Sequence, residues 1–154
     1  MGIESRLAEL GIELPPPPPP VASYVPVVVA AGLAFVAGQI PTEEGTPLFP
    51  GHVGGEVGLD QAREATRRCA LQALSALRDE LGTLDRVRRI VQVAVFVSSA
   101  PGFTDQPQVA NAASELLVEV FGDSGRHTRV SVGVAELPLN VPVEVALTAE
   151  IVTG

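Results

Sequence analysis

The stretch TRVSVGVAELPLNVPVEV, residues 128–145, decides how this chain is read. Val130, Val132 and Val134 fall on one side of an extended backbone, and Arg129, Ser131 and Gly133 on the other. A period of two marks a strand with unlike faces. The turn Leu137-Pro138-Leu139-Asn140 follows, then a second alternating run. There Val143, Val145, Leu147, Ala149 and Ile151 share one face, and Glu144, Ala146, Thr148 and Glu150 the other. Two such runs about one turn predict a hairpin with Arg129 opposite roughly residue 148, which leaves Glu144 displaced by about 13 Å along the partner strand. An arginine at the mouth of a hairpin is placed to grip a carboxylate, because its planar fork donates two parallel hydrogen bonds. Otherwise such an arginine is solvated or paired with a nearby acid.

Upstream, the pattern predicts strands near 25–31 and 33–40, turning at Gly32, and a loop rich in Gly, Pro and Thr over 42–55. Ala62, Ala65, Cys69, Ala73, Leu77 and Leu81 recur at helical spacing, so a helix is expected over 59–81 with Gly82 as its stop. A strand over 90–97 and a loop over 98–108 come next. Val109, Ala112, Ala113, Leu116, Leu117, Val120 and Phe121 then define the apolar face of a second helix that Gly122 ends. The order β-β-α-β-α-β-β gives an α/β (α+β) sandwich with two helices on one face of a single sheet. Nothing in the chain is left to cover the other face, so another subunit is expected there.

Residues 1–20 read as an N-terminal extension: a short amphipathic helix through Ile3, Leu7 and Leu10, then Pro15 to Pro20 as a stiff extended spacer. The domain proper is expected over 21–154. The uncharged stretch from Val21 to Thr42 is interrupted by Pro26, Gly32, Gly38 and Pro41, and fits two buried strands better than a membrane span. No basic region followed by an apolar core opens the chain, so a cytoplasmic location is expected, without membrane association.

At 154 residues the chain suits one domain. Hydrophobic content of 46% is high for that size and points to apolar surface buried between subunits. Ten basic against eighteen acidic residues give a net charge of −8, which repels phosphate backbones and speaks against nucleic-acid binding. One cysteine, Cys69, excludes an intramolecular disulfide and sits at a core position of its helix. His52 and His127 lack acidic or cysteine partners at ligand spacing, so no metal site is expected. No phosphate-binding glycine loop or nucleophile elbow is present, and no cofactor is expected.

The run from Arg129 to Leu137-Pro138, with Glu144 seven residues beyond Leu137, resembles the C-terminal signature of the Rid family, the YjgF-like reactive intermediate deaminases. Gly38-Gln39-Ile40-Pro41, with Tyr24 fourteen residues before the glycine, resembles that family's N-terminal hairpin. The resemblance covers about residues 21–152. It implies a chorismate-mutase-like sandwich assembled as a homotrimer, with clefts between neighbouring subunits. It also implies hydrolysis of enamines and imines such as 2-aminoacrylate to 2-keto acids and ammonia.

On this match Arg129 binds the substrate carboxylate, Glu144 orients the attacking water, and Tyr24 and Ser131 complete the catalytic group. Gly38 lets substrate approach the backbone, and Asn111 lines the cleft if the loop before it is longer than in relatives. Tyr24 is otherwise a tyrosine at the core edge, Asn111 a polar residue in the first turn of its helix, and Glu144 a surface glutamate. The chain departs from the family at Ala37, where many relatives carry Ser. It departs again at Ser131, where they often carry Cys, and at His127-Thr128, where they carry Pro-Ala. Two functions therefore stand side by side, an imine deaminase and a non-catalytic sensor of small carboxylates. A ribonuclease would need a basic cluster beside an acid/base pair, which the sequence does not show.

Overall fold

The computed structural model describes residues 2–17, 19 and 23–153. In chain order the elements are α1 (Ile3–Leu10), β1 (Val27–Ala30), β2 (Leu33–Gln39), the short hairpin β3 (Thr42–Glu43) and β4 (Thr46–Pro47), α2 (Leu59–Leu81), β5 (Val87–Ser98), α3 (Gln106–Phe121), β6 (Thr128–Val134) and β7 (Val143–Ile151). The expected strands and helices are present. The segment read as loop over 42–55 also holds β3 and β4, where Gly45 at φ 80° permits the tight turn.

The main sheet runs β1-β2-β7-β5-β6. That order overturns the hairpin expected between the last two strands. β7 pairs antiparallel with β2 and β5, while β6 pairs parallel with β5 only, so β5 lies between them. Arg129 is opposite Val93, not residue 148. The physical reason is the length of the connection. A two-residue turn would force adjacent pairing, but here residues 135–142 intervene, including a 3-10 turn at Pro138–Asn140. Leu139 and Asn140, at φ 56° and 59°, carry that turn through the left-handed region, and the segment has length enough to step across one strand.

Register fixes what each face carries. Val36, Leu147, Val93 and Arg129 form one row across four strands, with Val145, Val95 and Ser131 in the next. This face packs on α2 and α3, and its valines and leucines are buried together with Ala65, Cys69, Leu77, Leu116 and Leu117. The opposite face carries the rows Phe35-Thr148-Gln92, Ala146-Ala94-Val130 and Glu144-Phe96-Val132, and no helix covers it. Val28, Phe35, Val130 and Val132 are exposed there.

The N-terminal segment packs on the body instead of trailing from it. Leu7 is buried in the core, Arg6 Nε donates to the Glu119 carbonyl at 3.1 Å, and Glu4 accepts from the Leu84 N–H at 2.9 Å. Gly11, at φ 67°, ends α1. Ser75 Oγ donates to the Pro15 carbonyl at 2.5 Å, so the start of the proline run lies against α2. The expected domain start at Val21, with Pro18 and Pro20 of the run, falls outside the described residues. Among the described residues no helix is long and apolar enough to cross a membrane.

Candidate active site

Arg129 stands at the edge-strand end of an otherwise apolar row, on the helix side of the sheet. A charged group there needs polar partners, and α3 supplies them at one place. Its face toward the sheet buries Val109, Ala110, Ala113, Leu116 and Leu117, while Asn111 and Ser114, three residues apart, share one side of the helix. Arg129 Nη1 donates to Asn111 Oδ1 at 2.9 Å and to Ser114 Oγ at 3.1 Å. Ser114 Oγ in turn lies 2.8 Å from His127 Nε2, and His127 Nδ1 lies 2.6 Å from the Gly125 carbonyl oxygen. Burial, followed by the positive charge of Arg129, pulls the His127 pKa below its ordinary value against the opposing Gly125 hydrogen bond. The hollow beside this group is lined by Ser114, Val118, Arg126, His127 and Arg129, with no carboxylate among them. Its lining carries two guanidinium groups, those of Arg126 and Arg129.

Glu144 occupies the other face. Between Val36 and Gln39 the β2–β7 register slips by one residue, and the bulge brings Gly38 against the Glu144 side chain. A Cβ on Gly38 would sit 2.9 Å from the Glu144 carboxyl carbon, so the absence of a side chain lets the carboxylate lie over the strand in this position. Burial raises the Glu144 pKa above its ordinary value. The bulge is held from behind. Gln39 turns inward and is buried, and Gln72 Nε2 donates to the Ile40 carbonyl at 2.8 Å and toward Gln39 Oε1 at 3.5 Å. In Gly38-Gln39-Ile40-Pro41, then, the glycine faces Glu144 and the glutamine anchors the turn.

The six residues expected at the site therefore separate into groups. Arg129 and Asn111 meet, and Ser131 follows on the same face of β6. Gly38 and Glu144 meet on the opposite face. Val132, Phe96 and Glu144 share a row, so Arg129 is three residues along and two strands across from Glu144, roughly 14 Å between backbones. Tyr24 belongs to the lead-in of β1, which continues the antiparallel run beside β2. It is exposed, two residues before Pro26, whose carbonyl accepts the Ala37 N–H at 2.8 Å.

Sequence reading missed Ser114 and the part played by His127. The signal was available for the serine: Asn111 and Ser114 interrupt an apolar helix at i and i+3. His52 also finds partners that spacing hid. Its Nε2 lies 2.8 Å from the Ala135 carbonyl oxygen and 3.3 Å from Glu136 Oε2, and these contacts, the carbonyl first, raise its pKa. Among the described residues no cluster of three or more His, Cys, Asp or Glu side chains is arranged to hold a metal ion.

Residues 4–151 match the family model described as "YjgF/chorismate_mutase-like, putative endoribonuclease". The chain belongs to the YjgF (Rid) family. Its relatives include protein TCP17 of Trypanosoma cruzi, 41% identical over 150 residues that cover 97% of this chain and 94% of the other. The crystal structure of Atu1372 from Agrobacterium tumefaciens is 40% identical, with a TM-score of 0.89 over 97% of this chain and 92% of that one. Escherichia coli TdcF, solved with bound serine, is 26% identical, with a TM-score of 0.60 over 88% of this chain and 94% of that one. Within this family the chain keeps the one mixed sheet with its helices on a single face.

Proposed function

We propose that the chain is a hydrolytic deaminase of small enamines and imines bearing a carboxylate, releasing 2-keto acids and ammonia in a cleft between subunits of a homotrimer. One observation carries the reading: Arg129 with its α3 partners and Glu144 over Gly38 stand on opposite faces of one sheet. A second copy that brings its Gly38–Glu144 face to the Arg129 edge of the first would join them. The uncovered apolar face, with Val28, Phe35, Val130 and Val132 exposed, supports such packing. The serine bound to TdcF, an amino acid with its carboxylate, is in keeping with a small ligand of this kind.

In that cleft Arg129 holds the carboxylate and leaves the imine carbon open. Glu144 takes a proton from the attacking water and returns it to the departing ammonia. A carboxyl whose pKa is raised by burial is better suited to both transfers than an ordinary one. Ser131 adds a hydroxyl beside Arg129, and Tyr24 adds a second from the strand lead-in of a neighbour. The net charge of −8 disfavours the phosphate backbone that an endoribonuclease would grip.

A non-catalytic sensor of 2-keto acids in the same cleft is the second reading. It is favoured by the missing hydroxyl at Ala37. The test is direct. The purified protein is added to an amino-acid oxidase or dehydratase that generates the imine, and the surviving imine is trapped as its semicarbazone. Faster loss of imine than in the uncatalysed control supports the deaminase. Unchanged trapping together with binding of pyruvate assigns the sensor.

A further inference from the structure

We propose that Ser114 and His127 are positioning residues for Arg129, forming with Asn111 a bracket that turns the guanidinium fork toward the bound carboxylate. The proposal rests on the carboxylate-binding reading of Arg129 and adds two residues to it.

The bracket follows from counting donors and acceptors. The 2.6 Å contact between His127 Nδ1 and the Gly125 carbonyl requires the proton on Nδ1, because a carbonyl oxygen can only accept. In the neutral ring Nε2 is then an acceptor, so the Ser114 hydroxyl donates its single proton to it across 2.8 Å. The lowered pKa of His127 is consistent with that neutral form. With its proton committed, Ser114 Oγ can only accept from Arg129 Nη1, at 3.1 Å, while Asn111 Oδ1 accepts the other Nη1 proton at 2.9 Å. Both protons of one terminal nitrogen are thus spent on α3. The donors on Nη2 and Nε are the ones left to make a two-pronged contact with a carboxylate.

Each link has one orientation, from the Gly125 carbonyl through imidazole and hydroxyl to the guanidinium. A mobile arginine on an edge strand would lose side-chain entropy on binding, and the bracket removes that cost before the ligand arrives. It also gives a reason for His127 at a position where relatives carry proline.

The test measures pyruvate binding by titration calorimetry with the full chain. Ser114→Thr and Ser114→Val are isosteric, so they share any effect of a branched side chain on α3 and differ only in the hydroxyl. Valine is expected to weaken pyruvate roughly tenfold and threonine less than about twofold, in line with loss of one charge-assisted hydrogen bond. His127→Ala is expected to weaken it about threefold by freeing the hydroxyl. In the Arg129→Ala background, Ser114→Val should cost nothing further, because the serine acts through the arginine. Equal affinity of the valine and threonine variants, with Arg129→Ala still losing pyruvate, overturns the bracket and leaves the carboxylate grip standing. Full pyruvate affinity in Arg129→Ala itself removes the grip and the bracket with it.

Discussion

The two faces of the sheet end in functional groups of opposite character. On the helix side, Arg129 is held at Nη1 by its own chain: α3 gives Asn111 and Ser114, and the β6 lead-in gives His127 behind Ser114. On the open side, Glu144 has a backbone shaped to receive it at Gly38, but neighbours such as Phe35, Val130 and Val132 face solvent. One face is finished by folding, and on the proposed reading the other waits for association. The proposed function therefore makes binding and catalysis separable. On the proposed reading, folding of a single chain sets the carboxylate grip, and assembly brings the acid/base group to it.

The largest expected effect breaks the finished side. Arg129→Ala should cost roughly 2–5 kcal/mol of carboxylate binding, measured as pyruvate affinity, because it removes a desolvated charged partner. Arg129→Lys should recover little, since an ammonium cannot fork. Still on the helix side, Leu7→Ala should destabilise the chain by about 2 kcal/mol, near the low end for a buried leucine, and lower Tm by several degrees. An unchanged melting curve would mean that α1 does not belong to the core.

The unfinished side should respond in turnover instead of stability. In Gly38→Ala the new methyl meets the end of the flexible Glu144 side chain, which can swing aside. Chemical denaturation should barely change, while imine hydrolysis falls roughly tenfold. The smallest effect is the pH dependence of Glu144. Its raised pKa means the folded chain holds this proton more tightly than the unfolded chain does. Stability should therefore fall as pH rises from the ordinary carboxylate range through the raised value, and Glu144→Gln should remove that slope. Turnover, which needs the ionised form as base, should rise over the same window. A wild type and a Glu144→Gln variant with parallel stability profiles would show that this carboxylate is as solvated as any surface glutamate.

Much of this was legible in the sequence. Period-two runs identified the strands, and the helix over 59–81 was bounded by its apolar spacing and Gly82. The alternation around residues 129 and 144 also placed each side chain on one face of its own strand. Alternation cannot say which strand lies beside which, and so the strands that carry Arg129 and Glu144 were read as a hairpin that β5 in fact divides. Pairing is set by where the connection at 135–142 leads, a tertiary property. The anchoring of α1 was hidden for a like reason: its partners Glu119 and Leu84 are remote in sequence. Of the site, Arg129, Glu144 and Gly38 were found by motif, whereas Ser114 and His127 gain their role only from being brought together by α3 and β6.

The shared cleft is tested most directly by mixing two inactive variants. Arg129→Ala lacks the grip and Glu144→Gln lacks the base. If each cleft takes Arg129 from one subunit and Glu144 from its neighbour, refolding the two together should rebuild intact clefts wherever the mutated partners face away from each other. Equal mixing should then restore about a quarter of wild-type imine hydrolysis per cleft, from two variants that have none alone. No recovery, with mixed oligomers verified by mass, would contradict the account, because both groups would then have to come from the same chain.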